Sequence, residues 1–230
     1  MSPHRPGESR ELADSPWPGL PPHPVLLIPV GSTEQHGPHL PLDVDTTIAT
    51  EVCRRAAADA AQDVRVAPAI AYGSSGEHQD FPGTLSIGSA VLESVLIELG
   101  RSARTWASRV VFVNGHGGNA PVLERAVALL RYEGDHVAWI ACRHGAGHAG
   151  RAETSIMLRL DPERVRVDDA VAGPDEDLRA LMPRLRSEGV RAVSPGGVLG
   201  DPAGATADEG ERLLTRMAED VRRMLENTDA

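Results

Sequence analysis

Short apolar runs alternate along the chain with longer stretches in which apolar residues recur every three or four positions. Residues 25–30, Val-Leu-Leu-Ile-Pro-Val, are apolar throughout, as expected of a strand covered on both faces of a parallel sheet. Further strands are predicted at 64–71, 109–113 and 136–142. Between them, helices are predicted at 46–62, 89–108 and 120–132. The second carries an apolar stripe of Val91, Leu92, Val95, Leu96 and Leu99, and Pro121 is tolerated in the first turn of the third. Beyond the fourth strand the pattern is helical at 152–160, stopped by Asp161-Pro162, and again at 175–188 and 207–227, with a glycine-rich loop at 194–206. Strand and helix in strict alternation imply an α/β fold with a mostly parallel central sheet and helices on both faces. Residues 1–22 hold six prolines and read as a flexible N-terminal arm, leaving 23–230 as a single domain.

Each predicted strand ends in a glycine-bearing loop that contains histidine. The first reads Gly31-Ser-Thr-Glu-Gln-His-Gly-Pro-His-Leu-Pro-Leu-Asp-Val-Asp45 and the second holds Glu77, His78 and Asp80. The third is Asn114-Gly-His-Gly-Gly-Asn119 and the fourth runs from Arg143 to Gly150. In a parallel sheet these loops share one edge, where ligands bind. His36, His39, His78, His116, His144 and His148 therefore gather there, although isolated His and Asp residues in loops are more often solvated or helix-capping. In extended chain Glu34 and His36 fall on one side while Gln35 points away, a spacing that suits a divalent metal. Asp43 and Asp45 repeat that spacing, and Pro38 and Pro41 stiffen the link between the two pairs.

Composition narrows the chemistry. The net charge of −10 argues against a nucleic-acid partner. All 23 basic residues are arginines, so Schiff-base chemistry on lysine and a P-loop are excluded. No apolar run approaches the ~20 residues of a membrane span, and the N-terminus lacks a signal-peptide core, which leads us to expect a cytoplasmic protein without a membrane partner. Cys53 and Cys142 are too few for a disulfide framework and read as buried thiols. Cys142 acting as a nucleophile with His144 or His148, and a metal-binding sensor module without turnover, are the other classes these residues allow.

The first loop and Asn114-Gly-His-Gly-Gly-Asn119 resemble the creatininase (creatinine amidohydrolase) family, as do Phe81-Pro-Gly-Thr84, His148-Ala-Gly150 with Glu153-Thr-Ser155, Gly200-Asp-Pro202 and Ala205-Thr206. The resemblance runs from about residue 25 to the C-terminus. It implies a three-layer α/β/α metal-dependent amidohydrolase that is usually oligomeric, often a hexamer. It carries Glu34, His36, Asp45 and His116 over as ligands of two divalent ions (Zn²⁺, Fe²⁺ or Mn²⁺), with Asp45 bridging and His148 as the catalytic proton shuttle. Creatininase has a metal-ligating glutamate where this chain has Gly118; Glu153 is expected to supply that oxygen and to take part in catalysis. The loop from Tyr72 to Ile87 is most similar to a peptidase branch that removes a C-terminal Val-Tyr dipeptide from a ribosomally made, enzymatically modified precursor, so a peptide substrate is expected. A small-amide or formamide hydrolase is the alternative within the family. His39, Glu77, His78, Asn114, Asn119 and Arg143 are candidates for supporting the site or touching substrate, and Arg143 or Arg151 could pair with a peptide carboxylate.

Overall fold

The structure, a computed structural model, describes residues 9–145, 147–174, 176 and 178–227. Four strands, β1 (Val25–Val30), β2 (Val64–Val66), β3 (Arg109–Asn114) and β4 (Val137–Ala141), form one sheet in the order β2-β1-β3-β4. Every pairing among them is parallel, with Val25 opposite both Val64 and Arg109 and Val110 opposite Val137. The helices are α1 (Val44–Ala58), α2 (Ser89–Ala103), α3 (Ala120–Tyr132), α4 (Arg151–Leu160), α5 (Leu178–Glu188), α6 (Val190–Val193) and α7 (Ala207–Glu226).

Side-chain alternation splits the core into two layers. Leu27, Val111 and Val113 face the layer built by α1, α4 and α7, where Ile48, Val52, Ile156, Leu214 and Met217 are buried. Leu26, Ile28, Val30, Val110 and Phe112 face α2 and α3, packing on Leu92, Leu96, Leu123 and Leu130. This is the three-layer α/β/α arrangement. A third, smaller cluster joins Leu181 and Leu185 of α5, Val190 of α6 and Leu199.

The second predicted strand is shorter than its apolar run: ladder pairing stops at Val66, and only Ile70 returns to bridge Val30. Ala67 N–H still donates to Leu27 O at 2.8 Å, but Pro68 and Ala69 leave the sheet, since Pro68 has no N–H to pair. The helix predicted at 89–108 ends at Ala103, and the first residues of the one predicted at 175–188 include Asp175 and Asp177, outside the described residues. Of the N-terminal arm, residues 1–8 also lie outside them. Residues beyond it run along the β2 edge, where Val66 N–H donates to Arg10 O and Arg10 Nη1 to Gln62 O. No helix among the described residues is long and apolar enough to cross a membrane.

From β1 the chain moves outward to β2, and from β3 it moves in the opposite direction to β4. The strand order therefore reverses between β1 and β3, the place where a parallel sheet opens a crevice at its carboxyl edge. The Glu34 and His116 loops leave the sheet at this point.

Candidate metal centre

Close backbone packing brings the loops together. A Cβ on Gly31 would lie 2.3 Å from Thr46 Oγ1, and one on Gly115 would lie 2.3 Å from Asp45 O, so both positions need glycine. Two asparagines tie three loops. Asn119 Nδ2 donates to Gly31 O (2.9 Å) and its Oδ1 accepts from Ser74 N–H (2.9 Å), while Asn114 Nδ2 donates to His116 O (2.7 Å). Asn114 and Asn119 thus brace the site rather than face it.

Within this frame Glu34, His36, Asp45, His116 and Glu153 are all buried. Asp45 lies in the first turn of α1, where the helix dipole favours a carboxylate, and its Oδ2 accepts from Ser32 Oγ at 2.6 Å. Asp43, at the N-cap position, turns to solvent and pairs with Arg164. Three sets of potential ligand atoms come together: Glu34, Asp45 and His116; His36, Asp45 and Glu153; and Glu34, His36 and His148. Asp45 is common to the first two.

The imidazoles show what the site expects. His36 Nδ1 lies 3.1 Å from Glu34 O, His116 Nε2 3.1 Å from Ser74 O, and His148 Nε2 2.8 Å from Gln35 O. A carbonyl oxygen only accepts, so each of these nitrogens carries the proton and donates it. The opposite nitrogens then face carboxylates: His36 Nε2 is 3.2 Å from Asp45 Oδ1, and His116 Nδ1 is 3.2 Å from Glu34 Oε1 and 3.3 Å from Asp45 Oδ2. Neither oxygen of Glu34 has a hydrogen-bond partner among the described residues, although both are buried. Buried lone pairs turned on buried carboxylates need positive charge between them.

The titration behaviour says the same. Burial would lower the pKa of His36, but Asp45, Glu153 and Glu34 outweigh it and raise it to about 10. His116 is likewise raised well above its ordinary value, against burial, by Glu34 and Asp45. Burial opposes ionisation of Glu34, yet His116 and His78 draw its pKa down to about 2. Protons on His36 and His116 are one source of the missing charge; divalent cations are the other, and a set of carboxylates and outward-tied imidazoles fits them.

The remaining candidates fall around this centre. Glu153 Oε2 accepts from Ala149 N–H, and Oε1 lies 3.5 Å from His144 Nε2. Ala149 holds a left-handed φ of 53° to make that turn. A Cβ on Gly118 would lie 2.4 Å from His116 Nε2 and 2.5 Å from Ser74 O, so the third loop has no room for a side chain there. Glu77 Oε1 stands 3.6 Å from His116 Nε2, on the far side of that ring from Glu34. His78 Nε2 is 3.4 Å from Glu34 Oε1. His39 reaches away, its Nε2 donating to Thr154 Oγ1 at 2.9 Å. Arg143 is exposed, and Arg151 is held on the surface by Glu209. Burial and Asp45 push the Cys142 thiol up to about 12, which disfavours a thiolate nucleophile.

Sequence reasoning missed two members of the site. Ser32 carries no local signal, because its role depends on the fold of α1 back over β1. Alternation in an extended chain points Gln35 away from Glu34 and His36 but does not show that His78 and His148 occupy the side it points to.

The creatinine amidohydrolase family profile matches residues 17–225. The mycofactocin precursor peptide peptidase of Mycolicibacterium smegmatis is 56% identical over 200 residues, covering 84% of this chain and 81% of the relative. The protein of the same name from Mycobacterium tuberculosis is 53% identical over 212 residues, covering 87% and 84%. Among solved structures, the manganese form of creatininase superposes with a TM-score of 0.78 at 26% identity, covering 97% of this chain and all of that one. Motifs, fold and comparisons agree that this chain belongs to the creatininase family.

Proposed function

We propose that this chain is a metal-dependent peptidase that releases a C-terminal dipeptide, Val-Tyr, from the modified mycofactocin precursor peptide. The observation that carries the reading is the pair of buried ligand sets, Glu34/Asp45/His116 and His36/Asp45/Glu153, sharing one aspartate. Each set would hold one divalent cation; Zn²⁺, Mn²⁺ and Fe²⁺ all suit these nitrogen and oxygen donors. Such ions supply Lewis acidity to an amide carbonyl and bring the pKa of a water to about 7.

The chain's own groups complete hydrolysis. Burial, with His36 and His78 nearby, pulls the pKa of His148 well below its ordinary value, so this ring stays neutral. Its Nε2–H is committed to Gln35 O, which leaves Nδ1, 3.8 Å from Glu34 Oε1, as the free base. Nδ1 takes a proton as the water oxygen joins the carbonyl carbon. It returns that proton to the departing amine nitrogen as the C–N bond breaks, so one water is consumed and no other reactant is needed. The names of the relatives at 53% and 56% identity support the peptide substrate. Assembly into a homo-oligomer, a hexamer by the family resemblance, completes the proposal.

The test compares release of Val-Tyr from the modified precursor with turnover of creatinine and simple formamides, before and after chelation. Dipeptide release that falls at least ~1000-fold on chelation and returns with added metal is the expected result. Activity intact after complete metal removal, or confined to creatinine or formamides, would overturn the reading.

A further inference from the structure

Gln35 is only 5% exposed, and every polar atom of its amide is engaged. Gly37 N–H donates to Oε1 at 2.9 Å, which identifies that atom as the oxygen and the other as the NH₂ group. Nε2 has three neighbours: His78 Nδ1 at 2.9 Å, Gly197 O at 3.0 Å and His148 Nε2 at 3.0 Å. It has two hydrogens. Gly197 O can only accept and takes one. His148 Nε2 cannot accept the other, because it lies 2.8 Å from Gln35 O and must carry its own proton there. The second hydrogen therefore goes to His78 Nδ1, which leaves the His78 proton on Nε2, facing Glu34 Oε1 at 3.4 Å.

Glycine makes this arrangement possible. A Cβ on Gly197 would lie 2.0 Å from Gln35 Oε1, and Gly197 has a φ of +76°, so the 194–200 loop can close over the amide only with glycine at this position.

We propose that Gln35 is a positioning residue that sets the tautomers of two imidazoles. Its side-chain amide keeps the His78 hydrogen on Nε2, the nitrogen 3.4 Å from Glu34 Oε1 though outside hydrogen-bond geometry, and its backbone carbonyl makes His148 present a bare Nδ1 to the reacting groups. One residue between two ligands thus coordinates the second and fourth loops with the first. A wrong tautomer at His78 would turn a lone pair on Glu34; one at His148 would remove the base. The importance of this to turnover rests on the peptidase reading above, whereas the tautomers themselves do not.

The test uses the full chain labelled with ¹⁵N-histidine and loaded with diamagnetic Zn²⁺. Long-range ¹H–¹⁵N spectra report which ring nitrogen carries hydrogen, and the proton is expected on Nε2 of both His78 and His148. In Gln35→Glu a carboxylate oxygen replaces the amide donor but the acceptor for Gly37 N–H remains. His78 should then switch to the Nδ1–H form while His148 keeps its proton on Nε2. kcat for dipeptide release should fall ~10–100-fold with KM unchanged within about twofold and bound zinc unchanged. Gln35→Met keeps the chain length and removes only the polar atoms; it should lose kcat to a similar extent and leave His78 in mixed tautomers. If Gln35 merely braced the loop through Gly37, Gln35→Glu would behave as wild type, and that result would overturn the proposal. So would an Nδ1–H form of either ring in the wild-type protein. Were the substrate a different amide, the wild-type spectra would be unaffected, which separates failure of this proposal from failure of the peptidase reading.

Discussion

The central strands β1 and β3 carry buried charge at both ends, and the two ends handle it differently. At the amino end, Arg109 begins β3 and donates from Nη1 to Met224 O and Asn227 O, both at 3.1 Å. These carbonyls lie at the C-terminus of α7, where the helix dipole is negative, so a fixed cation meets fixed acceptors. At the carboxyl end, Glu34 has no hydrogen-bond partner among the described residues and three imidazole nitrogens turn lone pairs toward the acidic cluster. The Arg109 guanidinium finds its acceptors within the fold; the Glu34 cluster is balanced only with added positive charge. Burial alone does not mark a functional site, because both ends are buried. The distinguishing sign is a convergence of carboxylates and imidazoles whose charge the chain itself does not balance.

Substitutions at the two ends should therefore differ in kind. The largest effect is expected of Glu153→Gln, which removes one of the two carboxylates of the set it forms with His36 and Asp45. Bound metal should drop from two ions per chain to one and turnover should fall at least ~100-fold, read by elemental analysis and dipeptide release. Two ions per chain in this variant would show that Glu153 is not a ligand. Gly118→Ala comes next: its new methyl would press on His116 Nε2 and Ser74 O, disturbing the bond that turns His116 Nδ1 inward. A ~10–100-fold loss of turnover with weakened metal binding is expected, with little change in the melting temperature of the metal-free protein. Wild-type metal affinity would mean that the third loop has slack the packing does not show. The smallest catalytic effect belongs to the other end. Arg109→Met should cost about 2 kcal/mol of stability, a drop of about 4–8 °C in melting temperature, through lost charged hydrogen bonds. Metal content and kcat should stay within about twofold of wild type, and a large loss of metal would erase the contrast between the two ends.

Legibility in the sequence followed the range of the interactions involved. The parallel sheet was readable because a strand covered on both faces is apolar without alternation, and 25–30 and 110–113 show this. Pro68 ended β2 earlier than the apolar run suggested, since hydropathy does not count missing N–H donors. Glu34 and His36 stood out as a candidate pair because their spacing is short and their residue types are chemically distinctive, whereas the choice of Asp45 over Asp43, and His116 as a ligand, came from the family resemblance. Gln35 was not, despite lying between two of them: its partners, His78, His148 and Gly197, are 43, 113 and 162 residues away. Glu153 lay between the two cases, expected only because Gly118 offers no carboxylate.

The sequence by itself determined the alternation of strand and helix, the glycine loops after each strand and the stock of carboxylates and imidazoles they carry. These are consequences of periodicity and residue type, which act over a few positions. Only the tertiary structure decided where the strand order reverses, which carboxylates share Asp45, and which nitrogen of each imidazole turns inward. The reason is that a histidine's tautomer is set by the group behind it. Here those groups are backbone carbonyls and a side-chain amide; those of Ser74 and Gln35 reach His116, His148 and His78 from distant stretches of the chain only after the sheet has formed.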